Sequence, residues 1–156
     1  MVRFLCDSML GSLAKRLRIA GIDAELAGVM DSKRLLVKAA EECRTVLTRR
    51  TVFLKLNVTV PLYFVSPNNV QSQFDDVLRH FKIQPDAGLL LSRCLVCNKL
   101  LMKISKNNVS GLVPEYIYNT NNEFSTCPEC KKIYWKGTHY MNILKHFSSC
   151  TLNDTF

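Results

Sequence analysis

Two cysteine pairs constrain this chain more than any other feature of its sequence. They read CLVC at residues 94–97 and CPEC at residues 127–130. A C-x-x-C turn lets two thiolates grip one ion, and two such turns complete the tetrahedral four-sulfur shell that suits zinc. Four thiolates leave no open position for water, so such an ion holds a fold together. We therefore predict a structural zinc site formed by Cys94, Cys97, Cys127 and Cys130.

The residues around the pairs predict a zinc ribbon. From Arg93 onward, polar residues and paired cysteines replace the apolar segments of the preceding chain. The segment 103–124 between the pairs alternates enough to supply two or three antiparallel strands. Asn98 follows the first pair, where a left-handed backbone is often required. We expect a small β-rich module over residues 87–156.

Disulfide bonds and free buried thiols are the alternative interpretations of these cysteines. The chain has seven cysteines, an odd number that argues against a complete disulfide framework. Cys6 and Cys43 lie on apolar patterns and are expected in the core. His139, His146 and Cys150 could extend a metal site, although four cysteines already suffice and ordinary histidines are favoured.

The first 86 residues predict an α/β domain. Short apolar segments that read as strands alternate with apolar residues at helical spacing. The strand segments are Val2 to Cys6, Ile22 to Leu26, Thr45 to Thr48 and residues 62–65. Helix caps are expected at Asp31-Ser32 and Asn68-Asn69. This alternation favours a parallel sheet flanked by helices over residues 1–86.

A parallel sheet of this kind binds ligands at the carboxyl ends of its strands. Asp7 follows the first predicted strand, and Arg49 and Arg50 follow the third. We therefore expect these three side chains at one edge of the sheet.

The charge of the chain predicts a polyanionic partner. It carries 21 Lys and Arg against 13 Asp and Glu, a formal net charge of +8. Without a basic amphipathic helix at either end, nucleic acid is favoured over a membrane, and mere solubility is the alternative. No apolar run approaches the ~20 residues that span a bilayer. The residues after Met1 lack a signal-peptide pattern, so we expect an intracellular protein with no membrane partner.

Four segments carry a resemblance to a known family: FLCDSMLGSLAKRLRIAGID, ECRTVLTRR, SRCLVCNKLL and EFSTCPECKKIYWKGTHY. Together with VPEYIY they are similar to the Mut-seven C-terminal domain, over nearly the whole chain. That family joins a PIN-like ribonuclease fold to a zinc ribbon. It occurs alone in prokaryotes and is appended to 3′-to-5′ exoribonucleases of the Nibbler group in animals. The resemblance implies an exoribonuclease domain in cis or in trans, a role in small-RNA processing, and a location in the cytoplasm or in RNA granules.

The resemblance also implies a position for catalytic acids. PIN-type nucleases hold one or two Mg²⁺ or Mn²⁺ ions with clustered carboxylates. Asp7 stands where the first acid belongs. The family pattern after the third clear strand is LTRD, whereas this sequence reads LTRR at residues 47–50, so Arg50 replaces an acid. A guanidinium repels a divalent ion but binds phosphate well through its planar fork of donors.

Arg50 has a second interpretation, in which it turns into solvent or pairs with Asp7 or Asp31. Both interpretations remove the usual metal site. Asp7, Asp23 and Asp31 are then vestigial acids, and we expect no catalytic residue.

These observations predict an RNA-binding, catalytically inactive domain whose partner is single-stranded RNA. The residues expected to contact RNA are Lys15, Arg16, Arg18, Arg49 and Arg50 on the α/β part, and Lys99, Lys131, Lys132, Trp135 and Lys136 around the two cysteine pairs. Trp135 would stack on a base, although packing beside the ribbon is an equal alternative.

Two other functions remain open on the sequence. One is an active ribonuclease that uses Asp7, Asp23 and Asp31 with a substitute acid and Mg²⁺ or Mn²⁺. The other is a protein-docking adapter, which is less favoured because no long insertion separates LTRR from the strand at residues 62–65.

Overall fold

The structure is a computed structural model that describes residues 2–137, and it contains two sheets. The strands of the first sheet are β1 (Phe4–Cys6), β2 (Ala24–Leu26), β3 (Thr45–Thr48) and β4 (Leu62–Phe64). They are parallel and lie in the order β2-β1-β3-β4. The helices around them are α1 (Gly11–Ile19), α2 (Ser32–Glu41) and α3 (Val70–Phe81). This architecture confirms the predicted α/β fold with a parallel sheet flanked by helices.

Apolar residues cover both faces of the parallel sheet. On one face Phe4 and Leu47 pack with Leu13 and Leu17 of α1 and with Phe74 of α3. The other face packs against α2 through a separate set, Leu5, Val46, Leu35, Ala39 and Phe53. Neighbouring residues of β1 and β3 therefore point into different halves of the core. Burial on both faces explains why these strands read as continuous apolar runs rather than as alternating patterns.

Both predicted helix caps are present. The Asp31 carboxylate accepts a hydrogen bond from the Arg34 amide at 2.9 Å and begins α2. The Asn69 side chain accepts from the Ser72 amide at 2.8 Å and begins α3. Each cap satisfies an amide that has no partner inside the helix.

A smaller antiparallel sheet follows. Its strands are β5 (Met102–Ile104), β6 (Phe124–Thr126) and β7 (Ile133–Trp135), in the order β5-β6-β7. The long segment between β5 and β6 forms a 3₁₀ turn at Lys106–Val109 and the short helix α4 (Glu115–Thr120). The expectation of several strands within residues 103–124 is thus only partly correct. Pro114 immediately precedes α4, and its lack of a backbone N–H disfavours a paired strand at this point.

Cys6 and Cys43 have different environments. Cys6 is fully buried, as expected. The expectation that Cys43 lies in the core is wrong, because its side chain is exposed. Cys43 lies just beyond α2 with φ of +50°, and its amide donates to the Ala40 carbonyl. This left-handed turn points the side chain to solvent, which the local apolar pattern does not predict.

Within residues 2–137, no helix is long and apolar enough to cross a bilayer.

Candidate functional site

The two cysteine pairs form knuckles with the same backbone geometry. In each knuckle the amide of the residue four positions after the first cysteine donates to that cysteine's carbonyl. These bonds run from Asn98 to Cys94 at 3.0 Å and from Lys131 to Cys127 at 3.1 Å. Asn98 and Lys131 have φ of +63° and +60°. The predicted left-handed conformation at Asn98 is therefore present, and the second knuckle repeats it.

The knuckles bring the four cysteine sulfurs together. All four Sγ atoms lie within 4.8 Å of one another, and those of Cys94 and Cys130 are 3.6 Å apart. A tetrahedral zinc ion with Zn–S bonds near 2.3 Å would hold its sulfurs about 3.8 Å apart. The donor set therefore fits a tetrahedral, thiolate-bound metal ion. In the part of the chain that the structure describes, these cysteines are the one convergent group of three or more Cys, His, Asp or Glu ligands.

Tyr134 contacts the cysteine cluster from β7. Its hydroxyl lies 3.1 Å from Cys94 Sγ and accepts a hydrogen bond from the Leu95 amide at 3.2 Å, which leaves its own proton available to a Cys94 thiolate. Burial alone would raise the pKa of Cys94, but hydrogen bonds from Tyr134 and from the amides of Cys97 and Val96 outweigh burial and lower the pKa to about 6. Cys94 thus favours the thiolate form, which is the form that binds metal.

Tyr134 was not among the residues predicted from the sequence. The available signal was its strand, which follows the second knuckle and runs beside the cysteine cluster. The further candidate ligands His139, His146 and Cys150 lie outside the described residues.

At the carboxyl end of the parallel sheet, Asp7 is fully buried and its carboxylate is surrounded by donors. Oδ1 accepts from the Ser8 amide at 2.7 Å and from Arg50 Nη2 at 2.8 Å. Oδ2 accepts from the Thr48 hydroxyl at 2.8 Å, and the same hydroxyl accepts from the Arg50 amide at 3.0 Å. Arg50 therefore pairs with Asp7, one of the two interpretations that the sequence left open. The pair neutralises the one acid that directly follows β1.

The three candidate acids do not converge. Asp23 immediately precedes β2, whereas Asp7 immediately follows β1, so the two lie at opposite ends of parallel strands. Asp31 caps α2 with a side chain that is 61% exposed. The structure thus does not assemble a carboxylate cluster from Asp7, Asp23 and Asp31.

Asp23 belongs to a network of basic residues and an amide. Its carboxylate bonds to Arg44 and accepts from Asn98 Nδ2 at 2.8 Å, and Arg93 lies 3.6 Å away. Burial alone would raise the pKa of Asp23, but the hydrogen bonds from Arg44 and Asn98 outweigh burial and lower it below its usual value. Asp23 is therefore a partly buried, charge-paired structural residue in this fold.

The basic residues of α1 have three different environments. Lys15 is exposed. Arg16 bonds to the Gln71 side chain and lies over the Phe74 ring, 5.4 Å from its centroid. Arg18 is 4% exposed and donates to carbonyls inside the protein. The expectation that Arg18 lies on a cationic surface is wrong, because its guanidinium is used internally.

Arg49 turns toward the loop after β4. Its guanidinium donates to the carbonyls of Val65 and Ser66, each at 2.9 Å, and to the carbonyl of Pro67 and the Asn68 side chain. These bonds hold the loop that leads into α3. Arg49 and Arg50 are adjacent in sequence but have separate partners, so they do not present paired positive charge to solvent.

The cations around the knuckles lie on the surface. Lys99, Lys131, Lys132 and Lys136 are exposed, and Trp135 is 37% exposed. Two of the lysines form surface ion pairs, Lys99 with Glu129 at 3.7 Å and Lys136 with Glu123 at 2.7 Å. Exposed pairs of this kind are worth less than about 1 kcal/mol and exchange readily with other partners.

Comparison with known proteins identifies the family. A family model described as the Mut7-C RNAse domain matches residues 2–147. The human protein named "Exonuclease mut-7 homolog" is 33% identical over 71% of this chain, and the match covers 13% of that protein's length. No solved structure shows a significant match. Because the family model spans nearly all of the sequence, this chain belongs to the Mut7-C RNase domain family.

Proposed function

We propose that this chain is an RNA-binding domain that does not cleave RNA and that supports RNA binding by a 3′-5′ exoribonuclease in small-RNA processing. The observation that carries the proposal is the ion pair between the buried Asp7 and the partly buried Arg50. The relative named as an exonuclease is much longer than this chain, which covers 13% of it. We therefore assign the exonuclease chemistry to another domain, in cis or in trans.

The Asp7–Arg50 pair argues against metal-dependent cleavage at the carboxyl end of the parallel sheet. A two-metal or one-metal nuclease needs carboxylate oxygens that are open to a divalent ion. Both Asp7 oxygens already accept hydrogen bonds, and a guanidinium nitrogen lies 2.8 Å from Oδ1. At a few ångströms a permanent cation repels Mg²⁺ or Mn²⁺ by several kcal/mol at an effective dielectric of about 20. The candidate acids Asp23 and Asp31 lie elsewhere and supply no substitute.

The exposed lysines around the two knuckles support RNA binding better than the arginines of the α/β part do. Arg18, Arg49 and Arg50 all donate to groups inside the protein. The ribbon instead carries exposed side chains at Lys131 and Lys132, and the Trp135 side chain on β7 is 37% exposed. Lysines neutralise phosphates and an aromatic face stacks on a base, a combination that suits a single strand of any sequence.

The metal in this proposal is zinc with a structural role. The four sulfurs fill a tetrahedral shell, so they leave no position for a reacting water. When bound, zinc would cross-link the two knuckles. Hydrogen bonds from Tyr134 and the knuckle amides lower the pKa of Cys94, which favours the thiolate that the ion requires.

We expect the purified chain to leave single-stranded RNA uncut in Mg²⁺ or Mn²⁺, because Arg50 stands at the position of the expected metal-binding acid and pairs with Asp7. The measurement is a gel assay of end-labelled RNA with either ion. The matched variant is Arg50→Asp, which restores an acid and should gain weak binding of the divalent ion. Cleavage that copurifies with the chain and disappears in Asp7→Asn would contradict the proposal and favour an active ribonuclease.

We expect RNA affinity to fall steeply with salt, with log K decreasing by about 0.7 per phosphate contact on a single strand. Replacing Lys131 and Lys132 with alanine should lower that slope by about 1.4 if each contacts one phosphate. Replacing the exposed Lys33 and Lys55 is the matched control, since it removes the same charge away from the ribbon. Fluorescence anisotropy at several salt concentrations measures both slopes.

If the two double variants show the same slope of log K against log salt concentration, Lys131 and Lys132 do not contact RNA phosphates. RNA affinity that is undetectable at low salt would contradict RNA binding itself and leave the protein-docking adapter as the better function.

A further inference from the structure

The strand β2 lies at one edge of the parallel sheet and has backbone groups that β1 does not use. The Phe4 amide donates to the Asp23 carbonyl, and the Ala27 amide donates to the Cys6 carbonyl, each at 2.8 Å. Backbone groups point alternately to the two sides of a strand, so the amide and carbonyl of Ala24 point away from β1. Ala24 is fully buried, and a buried backbone group without a partner costs about 1–3 kcal/mol.

Two side chains satisfy the outward groups of Ala24. Asn98 Oδ1 accepts from the Ala24 amide at 3.1 Å, and Arg18 Nε donates to the Ala24 carbonyl at 2.7 Å. Arg18 Nη1 also donates to the carbonyls of Leu95 and Val96 in the first knuckle, at 2.8 and 3.1 Å. The first knuckle therefore lies against the outer edge of β2, in the place that a fifth strand would take.

Further contacts continue this seam to the residues before Ala24. The Leu91 amide donates to the Ile19 carbonyl at 2.8 Å, and Arg93 Nε donates to the Gly21 carbonyl at 3.1 Å. Gly21 has φ of +80°, and a Cβ there would lie 2.3 Å from the Leu89 carbonyl oxygen. Backbone from the two parts of the chain therefore meets at a distance that only glycine allows.

The second knuckle makes an instructive comparison. Lys131 has the same position and backbone conformation as Asn98, but its side chain is exposed and donates to the Pro128 carbonyl of its own turn. Asn98 is 6% exposed and bonds to Ala24 and Asp23. The two knuckles share a backbone geometry, but only the first has a buried side chain at the residue after its second cysteine.

We infer that the first knuckle covers the β2 edge of the parallel sheet, and that metal binding and sheet stability are coupled through Asn98. The left-handed backbone that the knuckle imposes aims the Asn98 side chain at Ala24 and Asp23. When the metal leaves, the knuckle no longer holds Asn98 at φ of +63°, and the Ala24 amide loses its Asn98 acceptor. Because of this coupling, the α/β part and the ribbon fold as one cooperative unit. This inference rests on the zinc site of the proposed function and is independent of RNA binding.

The first test removes the metal from the full chain. Zinc is measured by elemental analysis, then stripped with a chelator, and amide hydrogen exchange is followed by mass spectrometry. We expect peptides that contain residues 23–27 to exchange at least about tenfold faster after stripping, since a tenfold change corresponds to one or two lost hydrogen bonds. Exchange that accelerates in residues 93–104 and stays unchanged in residues 23–27 would overturn the coupling. A purified chain without zinc would instead overturn the zinc site.

The second test compares Asn98→Gly with Lys131→Gly. Glycine adopts a positive φ without strain, so both variants keep the backbone of their knuckle and lose one side chain. We expect residues 23–27 to exchange about tenfold faster in Asn98→Gly and within about twofold of the unaltered chain in Lys131→Gly. Equal exchange in the two variants would overturn the role of Asn98. If Asn98→Gly fails to fold, the chelator experiment on the unaltered chain decides the coupling.

Discussion

The Cys130→Ser variant is expected to lose the metal ion and to unfold at room temperature. Serine cannot replace a thiolate ligand, and three sulfurs hold zinc far more weakly than four. Structural zinc sites contribute about 10–16 kcal/mol of apparent binding free energy, which is as large as the whole stability of an ordinary domain of about 5–15 kcal/mol. Because the first knuckle covers β2, the loss should reach the parallel sheet as well as the ribbon.

Elemental analysis and circular dichroism of the purified variant measure this effect. Cys43→Ser is the matched control, because Cys43 is exposed and lies outside the cluster. The control should keep one zinc ion per chain and an unchanged melting temperature. Full zinc content in Cys130→Ser would show that the four sulfurs do not form the site, and Cys97→Ser provides an independent repeat.

Replacing Arg50 with methionine is expected to lower the free energy of unfolding by about 2–3 kcal/mol. The change leaves Asp7, which is fully buried, without its cation. Breaking a buried ion pair on one side costs about 3–5 kcal/mol. The Arg50 side chain is 21% exposed, so water offsets part of that cost and brings the expected loss to the lower end of that range or just below it. Denaturant unfolding at neutral pH measures the change.

Two further variants make the Arg50 experiment specific. Arg34→Met breaks the exposed pair of Arg34 and Asp31, with an 81% exposed cation, and should cost less than about 0.5 kcal/mol. The double variant Asp7→Asn with Arg50→Met removes both charges and should recover most of the lost stability. A double variant as unstable as Arg50→Met alone would mean that the arginine acts through packing rather than through charge.

The sequence predicts those features whose causes are local. A C-x-x-C turn contains its own hydrogen-bonding pattern, so the ligands and the backbone of Asn98 could be predicted from a few residues. The caps at Asp31 and Asn69 depend on amides three residues away. The alternation of apolar segments likewise sets the parallel sheet, because each strand and helix buries its own apolar residues.

The features that were missed depend on residues far apart in the chain. Arg18 reads as a surface cation on α1, and its burial is set by carbonyls of Leu95 and Val96, 77 and 78 positions away. The sequence placed Arg50 near Asp7 but could not choose between phosphate binding and an internal pair, since that choice rests on side-chain distances. Tyr134 reached Cys94 by a strand pairing that no local pattern specifies.

The distance along the chain between β2 and its cover has a consequence for synthesis on the ribosome. Ala24 and Asn98 are separated by 74 positions. At a synthesis rate of about 5–20 residues per second, Asn98 is therefore made roughly 4–15 s after Ala24. Cys130, the last sulfur of the cluster, emerges later still. During this delay β2 presents unpaired backbone groups, which are a template for pairing with other nascent chains. Metal supply during translation should therefore influence the soluble yield of this protein as well as its final stability.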